Sequence, residues 1–270
     1  MTGNLSHDSQ PNDHNEQGSS SQRMFGSQAS FYATSQVHIS DSRLTTLQRL
    51  VAEQPNPGWA IDLGTGAGFT AFAASEYCQR VVASDITLEM LKETRRIGNE
   101  RQLENVLLCQ NQAEQLPFRD ESLDLITCRA AGHHFTDLGK AFDEMRRVLK
   151  TGGSLIMADS VSPEDDGLAK WYNDMELRRD YSHVLNRKVS VLLEMLEGRG
   201  LRVLEKHDEK THMMFNDWVE RTATPEAEVA TLRRDFLGST AEARQVFLIE
   251  EKGDDIAFAW PSLVFRAVKE

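Results

Sequence analysis

The sequence predicts an α/β fold: a doubly wound, mostly parallel sheet of seven strands with one reversed strand and a helical cap inserted late in the chain. Two observations support this. Between residue 59 and about residue 160, short apolar runs alternate with segments of helical periodicity. The first of these runs ends in a glycine-rich loop that leads into a helix. The length of 270 residues fits one large domain of this class.

The amino-acid composition limits the kinds of molecule that this protein is expected to bind. The formal charge of −12 argues against a nucleic-acid backbone as the main partner. No apolar run approaches the ~18 residues of a membrane span, and no secretory signal follows Met1. Cys78, Cys109 and Cys128 lack metal-ligand spacing, so we expect no metal site and three buried free thiols in a reducing, cytoplasmic setting.

The chain before residue 59 divides into two parts. Residues 1–22 are polar and low in apolar side chains, so we expect a disordered tail. Apolar residues begin at Met24, and Ser40 or Asp41 can cap a helix that carries Leu44 and Leu47. We therefore assign 23–58 to an N-terminal helical segment that either folds over the mouth of a site or packs on the core.

The segment from residue 59 to residue 74 indicates a strand, a tight loop and a helix. An acid, Asp62, precedes three alternate glycines, Gly64, Gly66 and Gly68. Glycine lets the backbone approach a ligand closely, and the first amides of the next helix can donate to that ligand. A dinucleotide fingerprint would place its third glycine at Phe69 instead. Taken alone, the pattern also fits a tight turn without a ligand.

The second strand, predicted over 81–85, ends in Asp85. An acid at this position accepts hydrogen bonds from ribose hydroxyls in nucleotide-binding α/β folds. The alternative is a helix cap, although Thr87 can fill that position. Further strands are predicted over 106–109, 123–128 and 154–158, and the pair His133-His134 follows the fourth strand.

The pattern changes after residue 162. We predict a sixth strand beginning over 201–204 and a last strand over 263–268, which begins after Pro261 or bulges there because proline cannot donate to a ladder. The intervening segments, about 164–189 and 211–255, are expected to form helical cap insertions. Their apolar side chains fit either a core or an acceptor pocket; they are Trp171, Tyr172, Met213, Met214, Phe215 and Trp218.

The order of these motifs resembles the class I S-adenosylmethionine-dependent methyltransferases, in particular the branch of ubiquinone and menaquinone C-methylation enzymes and of YcgJ-like proteins. The similarity covers about residues 25–270. The stretches that carry it are 113–118, 128–129, 133–135, 147–150, 162–165, 182–184 and 217–218.

The resemblance implies S-adenosylmethionine as cofactor and a cofactor-binding core over 59–162, with 163–270 completing the sheet and cap. The glycines would line the methionine and ribose part, Asp85 would hold the ribose, and Arg129 would lie at the methionine end. Many relatives have Asp where this chain has Gln112, whose carbonyl can accept the same hydrogen bond. The expected cofactor residues are Asp62, Gly64, Gly66, Gly68, Asp85, Ile86, Gln112, Ala113 and Arg129.

The expected reaction is in-line methyl transfer to a small, apolar acceptor at carbon or oxygen. One residue of the pair His133-His134 is the candidate general base, unless both are structural and Tyr32 or His38 or alignment alone serves. Two other functions stay open at this point. One is a protein that binds S-adenosylmethionine without methyl transfer, for example as a pericyclase-like catalyst. The other is a nicotinamide-dependent oxidoreductase.

Overall fold

A computed structural model describes residues 20–29 and 41–270. Residues 1–19, most of the predicted tail, and residues Tyr32 and His38 lie outside the described ranges. Residues 20–29 are helical, so the last three residues of the predicted tail belong to a helix. The helices that follow are α1 (Ser42–Ala52), α2 (Phe69–Ser75), α3 (Leu88–Glu100), α4 (Leu138–Val148), α5 (Asp166–Arg179), α6 (Val189–Glu197), α7 (Phe215–Glu220), α8 (Glu226–Leu237) and α9 (Ala241–Val246).

One sheet runs through the molecule. Its strands are β1 (Trp59–Leu63), β2 (Arg80–Asp85), β3 (Val106–Gln110), β4 (Leu123–Arg129), β5 (Leu149–Ser160), β6 (Leu201–Met214), β7 (Glu250–Lys252) and β8 (Asp255–Lys269). The order is β3-β2-β1-β4-β5-β8-β6, and the short β7 pairs with β8. The first five strands are parallel, whereas β8 is antiparallel to both β5 and β6. The predicted fold class is confirmed, with β7 as an additional eighth strand.

Helices cover both faces of the sheet because successive strand residues point to opposite sides. On one face, Phe142 of α4 belongs to the apolar cluster that contains Ile61 and Leu63. On the other face, Leu47 and Leu50 of α1 pack in the cluster of Ala60. The strand order reverses between β1 and β4, and a crevice for ligands forms at such a point beyond the strand ends.

The last two long strands correct two predictions. β6 begins at Leu201 as predicted and continues to Met214, so residues 211–214, which were expected to lie in a helical insertion, belong to a strand. β8 runs straight through Pro261, which lies opposite Lys210 of β6. The Pro261 carbonyl accepts from the backbone N–H of Val161, so the position of the missing proline N–H also faces the β5 side. The proline therefore costs no ladder bond with β6, and because β5 ends at Ser160 it costs no bond within the β5 ladder either.

The cap forms a second core at the far ends of β6 and β8. Helices α5, α7, α8 and α9 enclose an aromatic cluster that includes Tyr172, Trp218 and Phe236, all buried. Helices lie within both predicted segments, but residues 211–214 and 250–252 of the second segment belong to strands. Most of the predicted apolar side chains lie in a core. Met214 is an exception and is exposed. None of the helices in the described part of the chain has the length and apolarity that a bilayer-spanning segment needs.

Candidate active site

A cavity of about 260 Å³ lies beyond the carboxyl ends of β1, β2 and β4, at the reversal of strand order. Seven of the nine predicted cofactor residues line it: Gly64, Gly66, Asp85, Ile86, Gln112, Ala113 and Arg129. The predicted residues that do not line it are Asp62 and Gly68.

The glycine loop forms the floor of this cavity. Gly64, Gly66 and Gly68 all have positive φ values, which side chains with a Cβ rarely adopt. A Cβ on Gly64 would lie 2.4 Å from the Cβ of Ala131. A Cβ on Gly66 would meet no atom of the described residues within 4 Å, because this position faces the open cavity. The loop therefore lets a ligand lie directly against its backbone.

Asp85 connects this loop to the start of α3. One carboxylate oxygen accepts from the backbone N–H of Gly66 at 2.9 Å, and the other accepts from that of Thr87 at 2.8 Å. The side chain is buried, and this burial raises its pKa. Each carboxylate oxygen has more than one acceptor site, so the group can also accept from hydroxyls of a ligand in the cavity.

Asp62 lies behind the loop and does not line the cavity. The structure therefore does not place it in contact with the cofactor, as was predicted. Its carboxylate accepts from the hydroxyl of Thr65 at 2.6 Å and from that of Thr127 at 2.7 Å. Burial raises its pKa to about 6. The acid thus ties the loop to β4. Gly68 also lies outside the cavity, where a Cβ would lie 2.5 Å from the Phe72 ring.

The opposite wall of the cavity comes from the segment after β3 and from the N-terminal helix. Asn111 precedes the predicted Gln112 and accepts a 2.8 Å hydrogen bond from the Ser84 hydroxyl. Ser21 and Phe25 of helix 20–29 also line the cavity. Asn111 and Ser84 are not among the site residues predicted from the sequence. Their position at strand ends was the available signal.

Arg129 is buried at the end of β4. It donates from Nη1 to Asp41 at 2.9 Å and from Nε to the hydroxyl of Thr70 at 2.9 Å. Asp41 also caps α1, because its other carboxylate oxygen accepts from the backbone N–H of Leu44. Arg129 therefore links the cavity wall to α1, the first helix after the gap between the two described ranges.

A second cavity of about 80 Å³ adjoins the first. The two share Phe25, Ala130 and His134 as wall residues. Ala130 has a φ of 53°, an uncommon value for a residue with a Cβ, at the end of β4. The other lining residues are Arg43, His133, Ser160, Glu176, Arg179, Asn186, Thr211, Met213, Trp218, Arg221 and Trp260.

The side chains of the two predicted histidines, His133 and His134, lie in different environments. His133 lines only the second cavity, and its Nδ1 lies 2.6 Å from Oδ1 of Asp159. The backbone N–H of His133 donates to the other oxygen of the same carboxylate at 3.1 Å. Burial alone would lower the pKa of His133, but the Asp159 carboxylate outweighs it and raises that pKa above its ordinary value.

His134 lines both cavities. Its Nδ1 lies 3.0 Å from the carbonyl oxygen of Ser182, so Nδ1 carries the proton and Nε2 has the lone pair in the neutral ring. Burial and the neighbouring His133 lower its pKa to about 4. The ring of Phe25 lies edge-on to the His134 ring, with centroids 4.9 Å apart. At pH 7 the His134 ring is therefore uncharged, and it forms part of the wall between the two cavities.

Three comparisons bear on this arrangement. Residues 61–157 match the model of a methyltransferase domain. The chain is 34% identical to YcgJ, an uncharacterized methyltransferase of Bacillus subtilis, over 77% of this chain and 83% of YcgJ. The crystal structure of YcgJ superposes with a TM-score of 0.78 over 84% of this chain and 98% of that one.

Two further relatives extend the comparison. The ubiquinone/menaquinone C-methyltransferase UbiE of a Marinomonas species is 35% identical over 44% of this chain and 49% of its own length. The [4+2]-cyclase SpnF shares the fold, with a TM-score of 0.60 over 83% of this chain and 80% of SpnF, at 19% identity.

Fold and site together define a class I S-adenosylmethionine-dependent methyltransferase. The chain belongs to the methyltransferase family that includes YcgJ. The open position at Gly66 and the carboxylate of Asp85 fit the cofactor of this class. The family therefore favours methyl transfer over the alternative of a nicotinamide-dependent oxidoreductase.

Proposed function

We propose that this methyltransferase transfers its methyl group to the carbon or oxygen of a small acceptor that occupies the second cavity. The observation that supports this is the shared wall. Phe25, Ala130 and His134 border both cavities, so a cofactor in the first and an acceptor in the second would meet there. In-line transfer requires such an end-to-end arrangement of donor and nucleophile.

The cofactor would bind to the residues that line the first cavity. The backbone of Gly64 and Gly66 would lie against its ribose and methionine part, and Asp85 would accept from the ribose hydroxyls. Ile86, Gln112 and Ala113 would surround the adenine. Arg129 would lie at the methionine end. When bound, S-adenosylmethionine supplies a methyl group on a sulfonium, which is already a good leaving group.

His133 is the general base in this proposal. The contact of Nδ1 with Asp159 leaves Nε2 as the ring atom with a lone pair, and the ring lines the acceptor cavity. Asp159 fixes the ring orientation and makes His133 the stronger base of the pair. The acceptor proton would move to Nε2 of His133 as the nucleophile attacks. His134, with its pKa near 4, would exclude water and align the acceptor instead.

A pH profile tests the base. His133 must be neutral to accept a proton, and its pKa is raised above the ordinary value of about 6.5. The rate at saturating cofactor should therefore rise with pH above about 6.5 and then level off. His133→Asn should remove this limb and lower the rate by about 10²- to 10⁴-fold. The measurement is formation of S-adenosylhomocysteine with a panel of small carbon and oxygen nucleophiles.

His134→Asn is the matched control, because it changes the neighbouring ring without touching Asp159. This variant should keep the ascending limb. Losing the limb in His134→Asn but not in His133→Asn would reverse the assignment. If both variants keep the wild-type profile and lose less than about tenfold in rate, no histidine of this pair is the base.

A further inference from the structure

The helix of residues 20–29 contributes a hydroxyl group to the wall of the first cavity. Ser21 lines this cavity and is only 6% exposed. Its Oγ has no hydrogen-bond partner within residues 20–29 and 41–270. Buried hydroxyl groups in proteins normally have a partner, which is another protein group, an ordered water or a ligand. Because Ser21 borders a cavity, a ligand in that cavity is the partner to consider.

The start of this helix lies against the segment that joins β2 to α3. Gln22, the residue after Ser21, donates from Nε2 to the carbonyl of Ile86 at 3.0 Å. Ile86 directly follows Asp85, and both residues line the first cavity. A Cβ added to Gly26 would lie 3.6 Å from a carboxylate oxygen of Glu89, in the first turn of α3. The helix is therefore fixed beside the end of β2.

The same face of the helix reaches the other end of the cavity. Phe25 follows Ser21 by four residues, and residues at this spacing lie on one face of a helix. Phe25 lines both cavities, and its ring packs edge-on against the ring of His134. This face therefore extends from the side of Asp85 to the wall between the two cavities.

The position of Ser21 indicates which part of the cofactor its hydroxyl would contact. In nucleotide-binding α/β folds, the acid at the end of the second strand holds the ribose. Ser21 precedes the residue that is bonded to Ile86, so it lies toward this end of the cavity. A serine hydroxyl can accept from a ribose hydroxyl or donate to a ring nitrogen of adenine. Both groups belong to the adenosine part of S-adenosylmethionine.

We propose that Ser21 is a cofactor-binding residue, whose hydroxyl forms a hydrogen bond with the adenosine part of S-adenosylmethionine. Helix 20–29 thereby becomes one wall of the cofactor site. This inference rests on the cofactor cavity of the proposed function and requires neither the acceptor nor the general base. Ser21 falls within residues 1–22, which the sequence predicts to be a disordered tail, so no pattern in the sequence indicates this role.

Ser21→Ala tests the hydrogen bond, because it removes one oxygen atom that has no protein partner in the described part of the chain. The melting temperature of the ligand-free protein should therefore not fall. Affinity for S-adenosylhomocysteine should fall about threefold to tenfold, as expected for one neutral hydrogen bond. Calorimetry on the full-length protein measures this. Equal affinity of Ser21→Ala and the wild-type protein would overturn the proposal.

Ser27→Ala is the matched control on the same helix. Ser27 is exposed, lines neither cavity, and donates from Oγ to the carbonyl of Met24 at 2.9 Å. This variant should bind S-adenosylhomocysteine as the wild-type protein does. An equal loss of affinity in Ser27→Ala and Ser21→Ala would show that the helix responds to any substitution, which contradicts a specific bond from Ser21.

A second probe locates the bond on the cofactor. 5′-Methylthioadenosine has the adenosine and sulfur of the cofactor but lacks its amino-acid end. Ser21→Ala should therefore weaken the binding of this probe and of S-adenosylhomocysteine by the same factor. A loss of affinity for S-adenosylhomocysteine alone would place the hydroxyl at the amino-acid end and overturn the assignment to adenosine.

Amide hydrogen exchange tests whether the helix is a wall of the cofactor site. Either probe, bound to the wild-type protein, should slow exchange of the amides of residues 21–29, because contacts with the ligand oppose local opening of the helix. The glycine loop, residues 64–68, is the internal control for occupancy of the cavity. Slower exchange in this loop with unchanged exchange in the helix would contradict the proposal.

These outcomes are separable from failure of the proposed methyl transfer, since both probes bind without an acceptor. If the wild-type protein binds S-adenosylhomocysteine but never forms it with any acceptor, the proposed transfer is contradicted and the role of Ser21 is still tested by affinity. If the protein forms S-adenosylhomocysteine and Ser21→Ala binds it unchanged, only the inference about Ser21 is contradicted.

Discussion

At the scale of single residues, Asp85 has two functions that one substitution would remove together. Its oxygens hold the backbone N–H groups of Gly66 and Thr87, and the same carboxylate lines the cofactor cavity. Asp85→Ala should therefore weaken S-adenosylmethionine binding by about 2–3 kcal/mol, since ribose hydroxyls lose a charged acceptor and the loop loses its support. Calorimetry on the purified protein measures this.

Asp85→Asn separates the two functions. Asparagine keeps one acceptor oxygen for the loop but loses the charge, so its affinity should fall between those of the wild-type protein and Asp85→Ala. Unchanged affinity in Asp85→Ala would remove this residue from the cofactor site. Asp62→Asn provides a contrast. Because Asp62 accepts from Thr65 and Thr127 and does not line the cavity, this substitution should lower the stability of the protein more than its cofactor affinity.

At the scale of elements, helix 20–29 covers the junction of the two cavities. Three of its residues face inward. Met24 is buried, and Phe25 lines both cavities. Gln22 donates from Nε2 to the Ile86 carbonyl at 3.0 Å. The described part of this segment therefore has both a buried residue, Met24, and a residue that lines the two cavities, Phe25.

Phe25→Ala tests the covering role. Removing the ring opens the wall shared by the cavities to water and removes apolar contact, so affinity for S-adenosylhomocysteine should fall about tenfold. Ser27→Ala changes an exposed residue of the same helix that does not line either cavity, and its affinity should stay unchanged. If Phe25→Ala binds as tightly as wild type, the helix is only a packing element.

Elements with a strong local pattern could be predicted from the sequence, and those defined by their neighbours could not. The strand, glycine loop and helix from Trp59 onward are encoded by adjacent residues, and the structure has them at the predicted places. The second half of β6 is rich in charged residues and lacks the apolar run that predicts a strand, and its residues 211–214 were expected in a helical insertion. It is a strand because it pairs with β8 at the sheet edge, with alternate side chains exposed.

The same contrast between local patterns and tertiary contacts explains which residues of the site could not be predicted from the sequence. Asp85 could be predicted because its function follows from one position at the end of one strand. Arg43, Arg179 and Arg221 meet only through tertiary packing of three helices, and no local spacing encodes that meeting. The pairing of His133 with Asp159 is likewise a contact between the ends of β4 and β5 and is invisible in either segment alone.

At the scale of the whole molecule, two apolar cores share two strands. Phe142 is fully buried in the main core, and Phe236 is fully buried in the cap core, against Phe215, Trp218 and Phe258. β6 and β8 are paired along their whole common length: Leu201 lies opposite Lys269 at one end, and Met214 lies opposite Ala257 at the other. Both strands therefore pass through both cores. We infer that the cores unfold as one cooperative unit, since neither can lose its strands without the other.

Matched truncations test this cooperativity. Phe142→Ala and Phe236→Ala should each lower the free energy of unfolding by about 3–5 kcal/mol, because both remove the same buried ring. Three of the four tryptophans, Trp171, Trp218 and Trp260, lie in the cap, so fluorescence reports mainly on the cap while far-UV circular dichroism reports on the whole fold. Both probes should give the same urea midpoint in each variant. A fluorescence midpoint in Phe236→Ala clearly below that from circular dichroism would show that the cap unfolds first. The second cavity, whose wall includes Trp218 and Trp260, could then open while the first cavity stays intact.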